Sequence, residues 1–325
     1  MTTLHDKEIA TIQKFIKKYI NTLKSLKPVT NTTIHYSDIQ SFYVSTRSEN
    51  DTNNKKRENI IVCIINGNIH NDYYKYSYRW NQLKNQINSY LKKLCEIQNI
   101  PMIHSQKCIQ KAGRGHHYDF KIIINETIEF NVEFKFNAES IKQIPQFVSP
   151  MKPSQYLETS YEEYFYDHYL KEIESDGFTL PNREEYLKQI HSTNPVCVGE
   201  IQKKYDNGCK KSSKYSGNKE DVDFYQKMKE LSKKSIQSFI SCNELKINEL
   251  TNYLLETQKN KYYMLFKNFN MYLQDVNMDN YIIVDYEKDV KSQRYIATTK
   301  TGIKMKILLR WKNGNGVAYP AFQIS

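Results

Sequence analysis

The sequence predicts an α/β fold: a mixed sheet flanked by helices, with a helical insertion and a C-terminal β-rich portion. Three observations carry this reading. Residues 74–98 show helical periodicity, with Trp80, Leu83, Ile87, Leu91 and Leu94 on one face. Residues 118–136 alternate apolar and polar side chains as a β-hairpin does. After residue 280 the chain changes into four β-like runs separated by polar turns.

Taken in order, residues 6–26 read as an amphipathic helix, with Ile9, Ile12, Phe15, Ile16 and Ile20 at three- and four-residue steps, ended by Lys27-Pro28. Residues 33–46 have β character, 48–58 (SENDTNNKKRE) read as a polar loop, and Ile60–Ile65 suits a short strand. The long helix over 74–98 precedes a strand-rich block at 102–136. Residues 156–192 read as helical and acidic. Residues 203–219 form a basic, Ser- and Gly-containing loop, a candidate boundary or polyanion-facing segment, and helices return at 220–239 and 243–275. Three segments follow from this: 1–72 with a helix and strands, a core at 73–200, and a helical and β-rich portion at 201–325. No internal repeat is visible.

A chain of 325 residues allows one large domain or two unequal ones. With 39% hydrophobic and 26% charged residues a packed core is feasible. Lys and Arg outnumber Asp and Glu by 47 to 36, a formal charge of +11 that suits nucleic acid or an acidic surface. The 26 tyrosines serve cores, interfaces and base stacking equally well, and AT-rich coding DNA also produces them, so their number decides nothing. The six cysteines form no C-x-x-C pair, which argues against a zinc ribbon and for a reduced, intracellular chain. The N-terminal MTTLHDKEIATIQKF lacks a continuous apolar region, and no run is long enough to span a bilayer, so a soluble protein without a leader is expected.

The chemistry concentrates in YDFKIIINETIEFNVEFKF, residues 118–136. The even positions Phe120, Ile122, Ile124, Ile128, Phe130, Val132, Phe134 and Phe136 are all apolar. The odd positions Asp119, Lys121, Glu129, Asn131, Glu133 and Lys135 are polar, and Ile123 alone is not. A three-residue turn at 125–127 keeps both apolar sets on one face and pairs Ile124 with Ile128. Counting outward, Asp119 falls opposite Glu133, with Cβ atoms about 4.5–5.5 Å apart. Carboxylates that close repel unless a cation sits between them. Lys135 shares their face. Two hard oxygen ligands and an ammonium make a kit for phosphodiester hydrolysis: a divalent ion activates water and neutralises phosphate charge, and the lysine assists.

This D-x13-E-x-K pattern on a hairpin, followed by an expected short helix over 138–144, resembles the active site of the PD-(D/E)xK nuclease superfamily. The resemblance covers roughly residues 74–150 and implies a restriction-endonuclease-like core. It implies Asp119 and Glu133 as magnesium ligands, with manganese as a substitute, and Lys135 as the group assisting the nucleophile. Tyr118 stands where the pattern has Pro. Gln146 is followed by Phe-Val-Ser-Pro, so the Q-x-x-x-Y element of the RecB-like branch is absent. The family's further acid, contributed by a helix ahead of the core, points by position to Glu96. The bare motif is common, and the plainer reading is a half-solvated hairpin with a cross-strand charge pair. The alternation, the acid-against-acid register and the basic glycine loop upstream favour the nuclease site.

In that loop, Lys111-Ala-Gly-Arg-Gly-His-His117, two glycines permit close backbone approach while Lys111, Arg114 and His117 bring nucleic-acid-facing groups; a plain connector explains it equally well. At the C-terminus Met305, Ile307, Leu309 and Trp311 take one face, and Lys304, Lys306, Arg310 and Lys312 the other. That basic face suits a phosphate backbone, although edge lysines also block aggregation. Glu162, Glu163, Asp167 and His168 read as a solvated acidic helix face rather than a metal site. Gln143 and Gln146 are weak cleft candidates. The expected activity is magnesium-dependent endonucleolytic cleavage of double-stranded DNA, of the site-specific restriction type. A structure-specific repair or resolving nuclease and a non-catalytic nucleic-acid-binding module are the alternatives, as is a tyrosine-rich interaction protein. Cutting two strands calls for two sites, which suits a homodimer.

Overall fold

The computed structural model describes residues 14, 34–44, 50–111, 116–141, 152–192, 194–314 and 316–325. The helix expected over 6–26 falls outside them apart from Lys14. The chain divides into two compact units, Met1–Ile144 with Asn260–Val276, and Pro145–Lys259 with Asn277–Ser325. The segments 1–72, 73–200 and 201–325 do not coincide with this division. The second unit interrupts the first between two strands, and a composition scan cannot see that the chain returns at residue 260 to a sheet begun near residue 106.

The first unit opens with a 3-10 turn, Tyr36–Phe42, where β character was expected. Asp38 closes it locally by accepting the His35 amide at 2.8 Å. Helix α1, Asn50–Ile65, replaces both the expected polar loop at 48–58 and the expected strand Ile60–Ile65. Its buried stripe runs Asn53, Arg57, Ile60, Ile61, Ile64, at helical spacing, but the first half of that stripe is polar. Arg57 is fully buried. Its guanidinium donates to the Ser41 carbonyl (2.8 Å), the Val44 carbonyl (2.7 Å) and Asn54 Oδ1 (2.6 Å), and lies 3.4 Å over the Phe136 ring.

The helix expected over 74–98 is two helices, α2 (Asn71–Tyr76) and α3 (Tyr78–Ile97). Ser77 between them is extended, and its hydroxyl caps α3 by accepting from the Trp80 amide. The face expected to be buried is buried: Trp80, Leu83, Ile87, Leu91 and Leu94, joined by Tyr90.

Five strands form one mixed sheet in sequence order: β1 (Gln106–Gln110), β2 (Phe120–Ile124), β3 (Ile128–Phe136), β4 (Lys261–Lys267) and β5 (Asn270–Gln274). β4 runs parallel to β3, and every other pairing is antiparallel. Strands β4 and β5 lie where the sequence reading placed the end of a helix over 243–275. That helix stops at Gln258, and Asn260, Asn268 and Phe269 take positive φ at the strand entry and hairpin. The even positions of β2 and β3 join the core with Ile60, Ile61, Trp80 and Leu83. After β3, Asn137 turns at φ 62, and the short helix expected over 138–144 lies outside the described residues beyond Ile141.

The second unit holds α4 (Tyr161–His168), α5 (Arg183–Gln189), α6 (Gly199–Gly208), α7 (Lys219–Cys242) and α8 (Ile247–Gln258). It also holds the antiparallel sheet β6 (Ile283–Asp289), β7 (Arg294–Thr299), β8 (Lys304–Gly314) and β9 (Ala318–Ile324), the four C-terminal runs expected from sequence. The first part of the expected 203–219 loop is the end of α6. At the centre of this unit Trp311 Nε1 donates to the Tyr161 hydroxyl (2.9 Å), which lies 3.0 Å from Ser235 Oγ, between Phe165 and Phe239. Among the described residues, no helix is long and apolar enough to cross a membrane.

Candidate active site

The β2–β3 hairpin has the register that alternation implied: Ile124 pairs with Ile128 and Phe120 with Val132. Asn125 and Glu126 take positive φ in the turn. The Asn125 side chain fixes that turn by accepting from the His104 amide (2.7 Å) and donating to the Met102 carbonyl (2.8 Å). One step beyond the strand, Asp119 stands opposite Glu133. Its amide donates to the Val132 carbonyl (3.0 Å), and its Oδ2 accepts the Phe134 amide (2.8 Å).

Glu133 is held by two lysines. Lys135 bonds to Oε1, and Lys261 Nζ lies 3.5 Å from Oε2. Lys261 starts β4 opposite Asn131, so the parallel pairing brings its side chain to Glu133 from the neighbouring strand. The three side chains are 15%, 20% and 5% exposed for Glu133, Lys135 and Lys261. A third acid approaches from α1. Glu58 accepts from Gln110 Nε2 (2.9 Å), and its charge acts on both Asp119 and Lys135.

The electrostatics follow from this crowding. Burial pushes the Asp119 carboxyl up to about 7, with Glu133 and then Glu58 adding to the rise against the Phe134 amide and Lys135. Burial would raise Glu133 as well, but Lys135 and Lys261 bring it below the ordinary carboxylate value. Burial opposes the charge on Lys135, yet Glu133, Asp119 and Glu58 together raise its pKa. Lys261 moves the other way: burial lowers it, and the attraction of Glu133 does not make up the difference. Burial raises Glu58, with Glu133 adding and the Gln110 hydrogen bond opposing.

Asp119, Glu133 and Lys135 are therefore brought together, and sequence reasoning missed Glu58 and Lys261. Glu96 does not take the place expected of it: it is exposed near the end of α3, and the acids acting on Asp119 are Glu133 and Glu58. The signal for Glu58 was the three- and four-residue spacing of Asn53, Arg57, Ile60, Ile61 and Ile64, which makes 50–65 a helix ahead of the core. For Lys261 it was the aromatic run KYYMLF, a strand former bounded by asparagines.

Lys111 adjoins the site through its backbone, its amide donating to the Asp119 carbonyl (2.8 Å). His117 is exposed two residues before Asp119, and Arg114, Gln143 and Gln146 lie outside the described residues. Lys304, Lys306, Arg310 and Lys312 belong to the second unit. Met305, Ile307, Leu309 and Trp311 are buried as expected. On the opposite face the register sets Glu287 and Asp289 of β6 in rows with Lys306 and Leu308 of β8, Lys304 Nζ lies 4.0 Å from Glu287, and Arg310 donates to Gln323 Oε1 (2.7 Å). The acidic stretch of α4 is a set of ion pairs: Arg183 holds Glu163 (2.5 Å) and Asp167 (3.1 Å), and His191 lies 2.8 Å from the buried Glu162.

Among the described residues, no three His, Cys, Asp or Glu side chains form a ligand set able to hold a metal ion by themselves. Magnesium does not need one, because it keeps several waters and is commonly bound through one or two carboxylates plus substrate phosphates. The donor set around Asp119 fits such an ion: hard oxygens, and a carboxyl whose ionisation is opposed by neighbouring acids. No protein-family model, no curated protein and no solved structure matches this chain.

Proposed function

We propose that this chain is a divalent-metal-dependent endonuclease that hydrolyses phosphodiester bonds in double-stranded DNA, with Asp119, Glu133 and Lys135 as its catalytic residues. The observation that carries the reading is the opposition of Asp119 and Glu133 on adjacent strands with Lys135 bonded to Glu133. Asp119 and Glu133 would hold magnesium, or manganese in its place. The bound ion would supply Lewis-acid charge to the phosphate and a lowered pKa to its water. Lys135, with its pKa raised by three acids, stays cationic at neutral pH and acts by stabilising negative charge on phosphorus rather than as a base. The restriction-endonuclease-like core that the motif suggested is part of this proposal, and the mixed sheet with its helices supports it only at the level of an α/β fold.

A second reading, a nucleic-acid-binding protein without catalysis, is favoured by the engagement of both Glu133 oxygens with lysines. Supercoiled plasmid and a long mixed-sequence duplex, incubated with Mg²⁺, Mn²⁺ or EDTA, separate the two. Metal-dependent cutting lost in Asp119→Ala, and lowered at least about 100-fold in Lys135→Ala, supports the nuclease, and discrete fragments support site-specific cleavage of the restriction type. Unchanged plasmid under every metal, with DNA bound equally by wild type and both variants, leaves the binding module.

A further inference from the structure

We infer that the surface of α2 and α3 binds single-stranded nucleic acid, with Tyr76 and Tyr78 as stacking platforms for unpaired bases. The inference does not rest on catalysis at Asp119. Tyr78 is 78% exposed and Tyr76 40% exposed, in a chain that buries most of its large rings. Only the extended Ser77 separates them, so the two rings leave the chain with no helical turn between. A ring as exposed as that of Tyr78 loses hydrophobic stabilisation unless something covers it, and a base offers a flat partner of any sequence.

The charges around these rings match that partner. Lys75 Nζ lies 4.9 Å from the Tyr76 ring centroid, the Arg79 guanidinium 3.8 Å from that of Tyr43, and Lys84 Nζ 4.2 Å from that of Tyr74. None of the three cations forms a salt bridge among the described residues, and each is held over an aromatic face, on the two helices that carry Tyr76 and Tyr78. Along 71–97 the acids are Asp72 and Glu96, against Lys75, Arg79, Lys84, Lys92 and Lys93.

The surface continues as a track. Tyr78, Asn85 and Lys92 recur every seven residues, which sets them in line along α3 over about 21 Å. At the far end Asn85, Asn88, Ser89, Lys92 and Gln106 border a trough of about 490 Å³. Its amides and hydroxyl both donate and accept, as the edges of unpaired bases require. Rings, cations and amides in succession suit a short run of nucleotides whose bases are exposed. A duplex, with its bases stacked on each other, offers no face to the tyrosines.

Fluorescence anisotropy of a fluorescein-labelled twelve-residue oligothymidylate tests this, using the full chain in EDTA so that cutting does not enter. Duplex of the same length and polyglutamate serve as competitors. The wild type should bind the oligothymidylate in preference to both. Each of Tyr76→Ala and Tyr78→Ala should weaken binding about five-fold or more, the Phe replacements should retain it, and circular dichroism should be unchanged throughout. Plasmid cutting in Mg²⁺ is read separately, so that failure of the nuclease reading and failure of this inference are distinguishable. The inference is overturned if wild type does not bind the oligothymidylate, if both Ala variants bind it as wild type does, or if duplex or polyglutamate competes equally well.

Discussion

Lys261 Nζ lies 3.5 Å from Glu133 Oε2, while Lys135 occupies the other oxygen of the same carboxylate. One acid thus holds two ammoniums delivered by adjacent parallel strands that flank a whole inserted unit in sequence. Lys261 is 5% exposed, so its charge depends on that acid for a counterion.

Removing the acid should therefore cost more than removing the base. Glu133→Ala is expected to lower the stability of the first unit by about 3 kcal/mol or more, because an ammonium is left buried and unpaired. Lys261→Met keeps the volume and leaves Glu133 with Lys135, and should cost less than about 1.5 kcal/mol. Urea unfolding orders the two variants; equal losses would mean that the ion pair does not seat Lys261.

Asp119 gives the site its pH dependence. Its carboxyl titrates near 7 in the fold against an ordinary 3.8, so the folded state binds this proton more tightly than the unfolded chain. Its contribution is fully present below about pH 4 and is lost as pH rises through about 7. Asp119→Asn should match the wild type near pH 4 and exceed it by about 1–3 kcal/mol at pH 8. Thermal melts between pH 5 and 8 read the difference, and parallel curves for the two proteins would show that Asp119 titrates normally.

Magnesium should reverse that loss. At pH 8, ion at a hundred times its Kd would stabilise the folded chain by about 2.7 kcal/mol. The rise in Tm should disappear with EDTA and be absent in Asp119→Asn. A rise of equal size in the variant would put the ion at a different place.

In the second unit, Gly208 ends α6 against α7. A Cβ there would stand 1.9 Å from the Asp221 carbonyl oxygen and 2.8 Å from Tyr225 Cβ. Backbone cannot step aside as a side chain can, so Gly208→Ala should destabilise this unit by about 3 kcal/mol or more. A melting temperature within a degree of wild type would contradict the close packing of these helices.

The hairpin was readable because everything that specifies it is local. Apolar residues at every second position set the face, and three turn residues set the register, so the opposition of Asp119 and Glu133 could be counted out before any coordinates. Glu58 was hidden because Asn53 and Arg57 occupy inward positions of α1. A buried arginine satisfied by carbonyls and an aromatic ring looks, in sequence, like a loop residue. Lys261 was hidden for a different reason: parallel pairing between distant segments leaves no local trace, and β4 was absorbed into the preceding helix. Glu96 was chosen by its place along the chain, and the helix turns it to solvent. The C-terminal alternation located the buried face of β8, but the charge of the other face depends on Glu287 and Asp289, two strands away in the sheet.

The placement of Lys261 also has a temporal side. Strands β3 and β4 are neighbours in space, yet the ribosome delivers them far apart: at about 5–20 residues per second, the stretch between them takes roughly 6 to 25 s to emerge. Throughout that interval Asp119, Glu133 and Lys135 are already outside, with no second ammonium and no strand on the far side of β3. A chain released early would carry the motif without the site. The strand and the second ammonium that seat Glu133 thus arrive only after the whole inserted unit has been made.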